Sequence, residues 1–185
     1  GADQDPVEYR LKMLENSPRS AGVLKMASRK AGWGRRLSED IFQGVSCHGS
    51  FGSYVAQIAE VSVQKDGSVT VHRVVCAVDC GQVVNPSIVE AQMESSIVYG
   101  LSATLNGEIT IEKGAVAQSN FHEFEVLRID KMPQVEVHIV NSKEQPGGVG
   151  EPGLPPIAPA VANAVFAATG KRIRKLPIRP SDLRS

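Results

Sequence analysis

The stretch from Val45 to Val78 does most to limit what this chain can fold into. Apolar residues recur there with period two, placing Val55, Ala59, Val61 and Val63 on one strand face. Lys65-Asp66-Gly67 then supplies a turn containing a residue that tolerates positive φ, and Val69–Val78 returns. The returning segment is apolar on both faces towards its end. This pattern predicts a β-hairpin whose second strand is central in a sheet and covered by other layers.

The flanking segments predict the covering elements. Asp5-Pro6-Val7-Glu8 reads as a helix start, with Asp5 as N-cap, Pro6 at the first helical position and Glu8 completing a capping box. Val7, Leu11 and Leu14 then share one face. Ser17-Pro18 opens a second helix that buries Val23, Leu24 and Ala27 and is closed by Gly32. A polar connector from Trp33 to Gly44 leads into the hairpin region. Asn85-Pro86 repeats the cap-plus-proline signal ahead of a helix from about Ser87 to Leu105, with Ile88, Met93, Ile97, Leu101 and Leu105 at helical spacing. A short strand around Ile109 and Ile111 follows, with a turn at Lys113-Gly114. Val135, Val137 and Ile139 alternate with Glu136 and His138, predicting a half-exposed strand. An alanine-rich helix is expected from Ile157 to Thr169, ended by Gly170, and a last strand from Arg174 to Ile178. The order reads as α+β. The expected division is a helical pair over residues 5–32, an α+β core over 45–178 and a tail over 179–185.

Composition narrows the function classes. With 20 basic against 20 acidic side chains in 185 residues, the chain lacks the excess positive charge of a nucleic-acid binder. The basic run Lys171-Arg172-Ile173-Arg174-Lys175 is expected to be a solvated surface strand. No stretch of 18 apolar residues could span a membrane. The three cysteines, Cys47, Cys76 and Cys80, match neither a disulfide framework nor a metal or C-x-x-C spacing. The start, Gly1-Ala2-Asp3, has no initiator Met and no leader pattern, which points to an internal cut in a longer polypeptide or a cloning remnant.

The segment Gln145–Pro156 has a different character: four glycines and four prolines in twelve residues. Its backbone is expected to take conformations that other residues forbid and to be pinned there by rings. Glu151 stands alone among them just before a helix. A carboxylate fixed by a stiff loop near oriented N–H groups is pre-organised as a general base. The competing reading is an acid that only complements the helix dipole. The run Gly147–Gly153 also invites an anion nest, but it matches neither nucleotide-binding glycine motif. Cys47-His48 cannot pair as nucleophile and base, because adjacent strand residues point to opposite faces. His72, His122 and His138 lack metal-ligand spacing. Gln92 falls at the boundary of the long helix's apolar stripe, where its amide either reaches a buried polar partner or is simply exposed.

Several of these segments, taken in order, resemble a known family. Val71-His72-Arg73-Val74-Val75-Cys76-Ala77-Val78-Asp79-Cys80-Gly81, then Val84-Asn85-Pro86, Val89-Glu90-Ala91-Gln92-Met93-Glu94 and Tyr99-Gly100-Leu101, resemble the xanthine dehydrogenase and aldehyde oxidase family of molybdenum hydroxylases. Gly148-Val149-Gly150-Glu151-Pro152-Gly153 is similar to that family's active-site glutamate loop. Phe51-Gly52-Ser53-Tyr54-Val55-Ala56-Gln57 and Ser119-Asn120-Phe121-His122 narrow the resemblance to the isoquinoline 1-oxidoreductase β-subunit branch. The similarity runs from about Asp5 to Ile178.

The resemblance implies a mixed sheet with packed helices, forming the C-terminal part of a molybdopterin-binding domain of the aldehyde oxidoreductase type. It implies hydroxylation of N-heteroaromatic or aldehyde substrates with water as the oxygen source. Glu151 matches the residue that takes the proton from the metal-activated hydroxyl. Gln92, Gly148 and Gly150 are the implied cofactor-binding residues, Gln92 matching a glutamine of the family's helix segment and the two glycines belonging to the glutamate loop. That cofactor is of the molybdopterin type, as the cytosine dinucleotide, and no protein side chain here is expected to ligate the metal. The implied partners are the N-terminal remainder of the large subunit and a small subunit carrying [2Fe-2S] centres. The resemblance is compatible with a cytoplasmic enzyme or, with a leader upstream, an exported one. Ser95-Ser96 departs from the family's frequent Gly-Gly, and its Gly-Gly-Phe-Gly-type loop is absent, so the isolated chain is expected to be inactive. The alternative to an enzyme is a non-catalytic scaffold or subunit-interaction module.

Overall fold

The computed structural model describes residues 3–184. It begins with α1 (Pro6–Met13) and α2 (Pro18–Ala31). Asp5 Oδ1 accepts from the Val7 and Glu8 N–H groups at 2.8 and 2.9 Å, satisfying the first-turn donors that a helix leaves unpaired. The reciprocal bond expected from Glu8 does not form among the described residues. Instead the other Asp5 oxygen accepts from Trp33 Nε1 at 2.9 Å, tying the start of α1 to the end of α2. Gly32 closes α2 in the left-handed conformation, φ 64°.

Three antiparallel strands follow, β1 (Phe42–Ser50), β2 (Ser53–Val63) and β3 (Val69–Asp79). Then come α3 (Pro86–Leu105), the small hairpin β4 (Ile111–Glu112) and β5 (Ala115–Val116), β6 (Gln134–Ile139), α4 (Ile157–Thr169) and α5 (Pro180–Leu183). The main sheet has the order β1-β2-β3-β6, with β6 parallel to β3, so it is mixed. β3 lies inside the sheet, as its apolar run predicts. Between Glu60/Arg73 and Val61/Val71 the register shifts by one, leaving His72 as the extra residue of a bulge. The shift lets Val71, Val74, Cys76 and Val78 all face the same layer despite their change of parity.

Helices cover both faces. Val7, Val23, Leu24, Ala27 and Ala31 of α1 and α2 pack on Val45, Ala56, Ile58, Val75 and Ala77. On the other face α3 and α4 bring Met93, Ile97, Leu101, Ile157, Val161 and Val165 against Val55, Ala59, Val74 and Val78. Each fully buried aliphatic side chain of this kind contributes about 1.5–3 kcal/mol relative to exposure. At the β1 edge Asn163 of α4 donates to the Val45 carbonyl at 2.9 Å, and the helix backbone comes in against Gly44. A Cβ on Gly44 would overlap Ala160 O and Ala164 N, so only glycine allows this approach.

The C-terminal region differs from the expectation. Residues 174–178 form no strand, because the Ile178 N–H donates to Thr104 O in the last turn of α3 at 2.8 Å and Pro177 has no N–H to offer a ladder. The basic run 171–175 is partly to fully exposed, but irregular; Arg172 lies over the Phe166 ring, 3.9 Å from its centroid. Beyond it, where a tail is expected, α5 forms and Leu183 is buried in the core. No described helix is long and apolar enough to cross a membrane.

Candidate active site

The glycine- and proline-rich loop runs along one end of the sheet, between β2 and α3, and is fastened at almost every other residue. The Gly147 N–H donates to Cys80 O at 2.9 Å and the Gly148 N–H to Phe51 O at 2.8 Å. Three side chains seize loop carbonyls: Ser53 Oγ donates to Gly148 O at 2.7 Å, Ser96 Oγ to Gly150 O at 3.0 Å, and Gln57 Nε2 to Gly153 O at 2.7 Å. The Leu154 N–H closes a turn onto Glu151 O at 2.9 Å.

The loop glycines are needed for a different reason than the sequence suggests. None of Gly147, Gly148, Gly150 or Gly153 has positive φ. A Cβ on Gly147 would collide with Ser53 Oγ, one on Gly148 would lie 3.0 Å from Phe51 Cβ, and one on Gly153 would lie 3.0 Å from Ser96 Cβ and 3.1 Å from Met93 Sδ. Close approach, not left-handed backbone, sets these residues. Around Gly150 the case is opposite, since nothing lies within 4 Å of an added Cβ.

Glu151 is the only ionisable residue of the loop, and its side chain is exposed and makes no hydrogen bond or ion pair among the described residues. Its own N–H and that of Gly150 also donate to no described atom. Gln92 is half-buried on α3, one turn before Ser96, and so shares the helix face that holds the loop. Glu151, Gly150 and Gln92 therefore occupy one end of the molecule. Gly148 is at the same end, but its N–H is spent on Phe51 O and its carbonyl on Ser53. The cavities of 1080 and 390 Å³ lie elsewhere, below α3 beside residues 121–133 and alongside α4, and none of the four residues lines either. At Gly150 and Glu151 the loop faces open space.

Beneath it a second fastening joins α2 to the strand ends. Arg19 grips Asp79 with Nε to Oδ2 at 2.9 Å and Nη2 to Oδ1 at 2.7 Å, and Nη1 reaches Gly52 O in the β1–β2 turn at 3.3 Å. Arg19 also lies 4.6 Å from the Tyr54 ring centroid. The guanidinium holds the Asp79 carboxyl below the ordinary carboxylate range, outweighing its burial. The sequence reading picks out neither this pair nor the Ser53, Gln57 and Ser96 donors as site residues. A buried amide in the middle of an apolar strand is the signal that could have drawn attention to Gln57.

The surface fits one wall of a cofactor site. A large polar ligand needs open space and free donors, and Gly150 and the two unspent N–H groups supply both beside an unpaired carboxylate. Among the described residues no cluster of three or more His, Cys, Asp or Glu could hold a metal ion. Residues 26–133 match the molybdopterin cofactor-binding domain, and with more than half of its length in that match the chain belongs to this family. It is 40% identical to isoquinoline 1-oxidoreductase subunit beta of Brevundimonas diminuta over 182 residues, 96% of this chain and 23% of that one. Among solved structures it resembles quinoline 2-oxidoreductase from Pseudomonas putida 86, TM-score 0.66 at 21% identity, over 70% of this chain and 18% of the other. The aldehyde oxidoreductase of Desulfovibrio desulfuricans ATCC 27774 gives TM-score 0.63 at 28% identity, over 71% and 15%. The chain thus spans less than a quarter of each relative.

Proposed function

We propose that residues 5–178 form the C-terminal portion of the molybdopterin-binding domain of a molybdenum hydroxylase large subunit, with Glu151 as its general base. The reaction is hydroxylation of a carbon in an N-heteroaromatic ring or an aldehyde, with water as the oxygen source. When bound, the cofactor, as its cytosine dinucleotide, supplies a metal that acidifies water and accepts the electron pair from the substrate carbon.

This chain contributes the remainder. The observation that carries the reading is that Glu151 is unpaired on a backbone tied down on both sides. An ion-paired acid would be spent, and an acid on a loose loop would lose its alignment. The free Glu151 carboxylate can take a proton from water-derived oxygen at the open end of the loop. Gly150 and Gln92 sit where a backbone N–H and a side-chain amide can hydrogen-bond an incoming cofactor, while Gly148, its own groups committed, lets the loop lie close on the β1–β2 turn. The other walls come from the N-terminal remainder of the subunit, and electrons leave through an iron-sulfur small subunit, so the isolated chain is inactive.

The test is Glu151→Gln in the complete enzyme. Turnover of an N-heteroaromatic or aldehyde substrate should fall by about 100-fold or more, the scale of a lost general base, with molybdenum content unchanged. Undiminished turnover overturns the assignment. A complete subunit that folds but never acquires molybdenum shows a scaffold module instead.

A further inference from the structure

We propose that Gln57 is a positioning residue for the glutamate loop, acting through the Gly153 carbonyl; the catalytic half of this proposal rests on the general-base reading of Glu151. Gln57 is fully buried at the centre of β2, on the face that packs against α3 and α4. Its neighbours on that face, Val55 and Ala59, are aliphatic. An apolar residue there would complete the core without any polar group to satisfy. The amide is retained although its Oε1 is buried with no partner, an arrangement that costs stability. What the amide does in return is donate Nε2 to Gly153 O at 2.7 Å, two residues past Glu151, with a longer 3.9 Å contact to Cys76 Sγ.

The other donors show why that bond matters. Ser53 holds Gly148 O and Ser96 holds Gly150 O, so the segment before Glu151 is fixed from β2 and from α3. After Glu151 the next residue, Pro152, has no N–H, and Gln57 is the side chain that fixes the downstream arm. With three carbonyls drawn into the protein, the N–H groups of Gly150 and Glu151 are left unspent. Removing Gln57 would free the loop on one side only, swinging Glu151 about its upstream anchors.

The experiment compares Gln57→Leu with the unaltered chain, with Ser53→Ala as a second variant should the first not fold. The first readout is amide hydrogen exchange in the 185-residue chain, which needs no cofactor. In Gln57→Leu the Leu154 amide, which bonds Glu151 O, should exchange roughly tenfold faster or more, while the Gly147 and Gly148 amides and the β2–β3 ladder keep their protection. Ser53→Ala should reverse the pattern, exposing Gly148 and sparing Leu154. Thermal stability of Gln57→Leu should change little, since the orphaned Oε1 goes with the amide while the Gly153 carbonyl loses its donor. Unchanged Leu154 exchange in Gln57→Leu, or a loss of protection spread evenly over the sheet, overturns the proposal. So does coincident exposure of Gly148 and Leu154 in Ser53→Ala. In the complete enzyme, Gln57→Leu should lower kcat roughly a hundredfold, the scale of a misplaced catalytic group, with KM within about twofold. If Glu151→Gln proves harmless while Leu154 is still deprotected, the clamp stands and the general-base reading fails. If Glu151→Gln abolishes turnover while Gln57→Leu changes neither exchange nor kcat, the clamp is wrong.

Discussion

Replacing Asp79 by Asn would remove the charge that Arg19 grips while preserving shape. The two side chains are 6% and 24% exposed, and the bond is bidentate at 2.7 and 2.9 Å. A hydrogen bond to a charged group contributes about 1.5–3 kcal/mol, and breaking a wholly buried ion pair costs about 3–5 kcal/mol. Arg19 keeps partial access to water, so the loss for Asp79→Asn should be about 2–3 kcal/mol at neutral pH. For a chain of this size that corresponds to roughly 5–10 °C in Tm. The pH dependence has a definite sign. Arg19 lowers the Asp79 pKa in the folded protein, so the unfolded chain binds the proton more readily. The stabilisation is therefore complete well above the unfolded value of about 4 and is lost as pH falls through the lower folded value. Urea denaturation of both proteins at pH 7 and across pH 5 to 2.5 reads the difference. A gap below about 0.5 kcal/mol at pH 7, or one that does not shrink in acid, would refute the reasoning.

Two further outcomes follow from packing. Gly44→Ala drives a methyl group into the backbone of α4, where no rotamer change relieves it, and should cost on the order of 3 kcal/mol or more in denaturation; an unchanged midpoint would show that α4 does not lie against β1 at that point. Thiol labelling at pH 8 should modify only the half-buried Cys47 in the native protein, and slowly. Complete burial pushes the Cys76 thiol up to about 12, and burial also raises Cys80, so these two should react only after unfolding. Three thiols reacting together under native conditions would contradict this.

Features set by near neighbours in sequence were readable. The Asp5 and Asn85 caps, the Gly32 and Gly170 helix ends and the Lys65-Asp66-Gly67 turn depend on backbone groups a few residues away. Glu151 was conspicuous because the glycines and prolines around it are consecutive. Features set by distant partners were not readable. The apolar alternation ending at Ile178 suggested a strand, but its N–H is claimed by Thr104, more than seventy residues earlier. The close-approach role of Gly147 and Gly153 depends on Ser53, Ser96 and Met93, and no local rule says that a loop glycine faces one of them. Ser96, noted in sequence only as a departure from glycine, donates to Gly150.

The donors that hold the glutamate loop come from 54, 95 and 96 residues upstream of the carbonyls they bind. Contacts of such high contact order form late, since the entropy of closing the intervening chain must be overcome first. During synthesis from the N-terminus, β2 waits with its serine and glutamine unsatisfied until the final third of this region has left the ribosome. The loop is consequently fastened only after the sheet it crosses has been made, and until then that end of the sheet stands uncovered, its donors open to water.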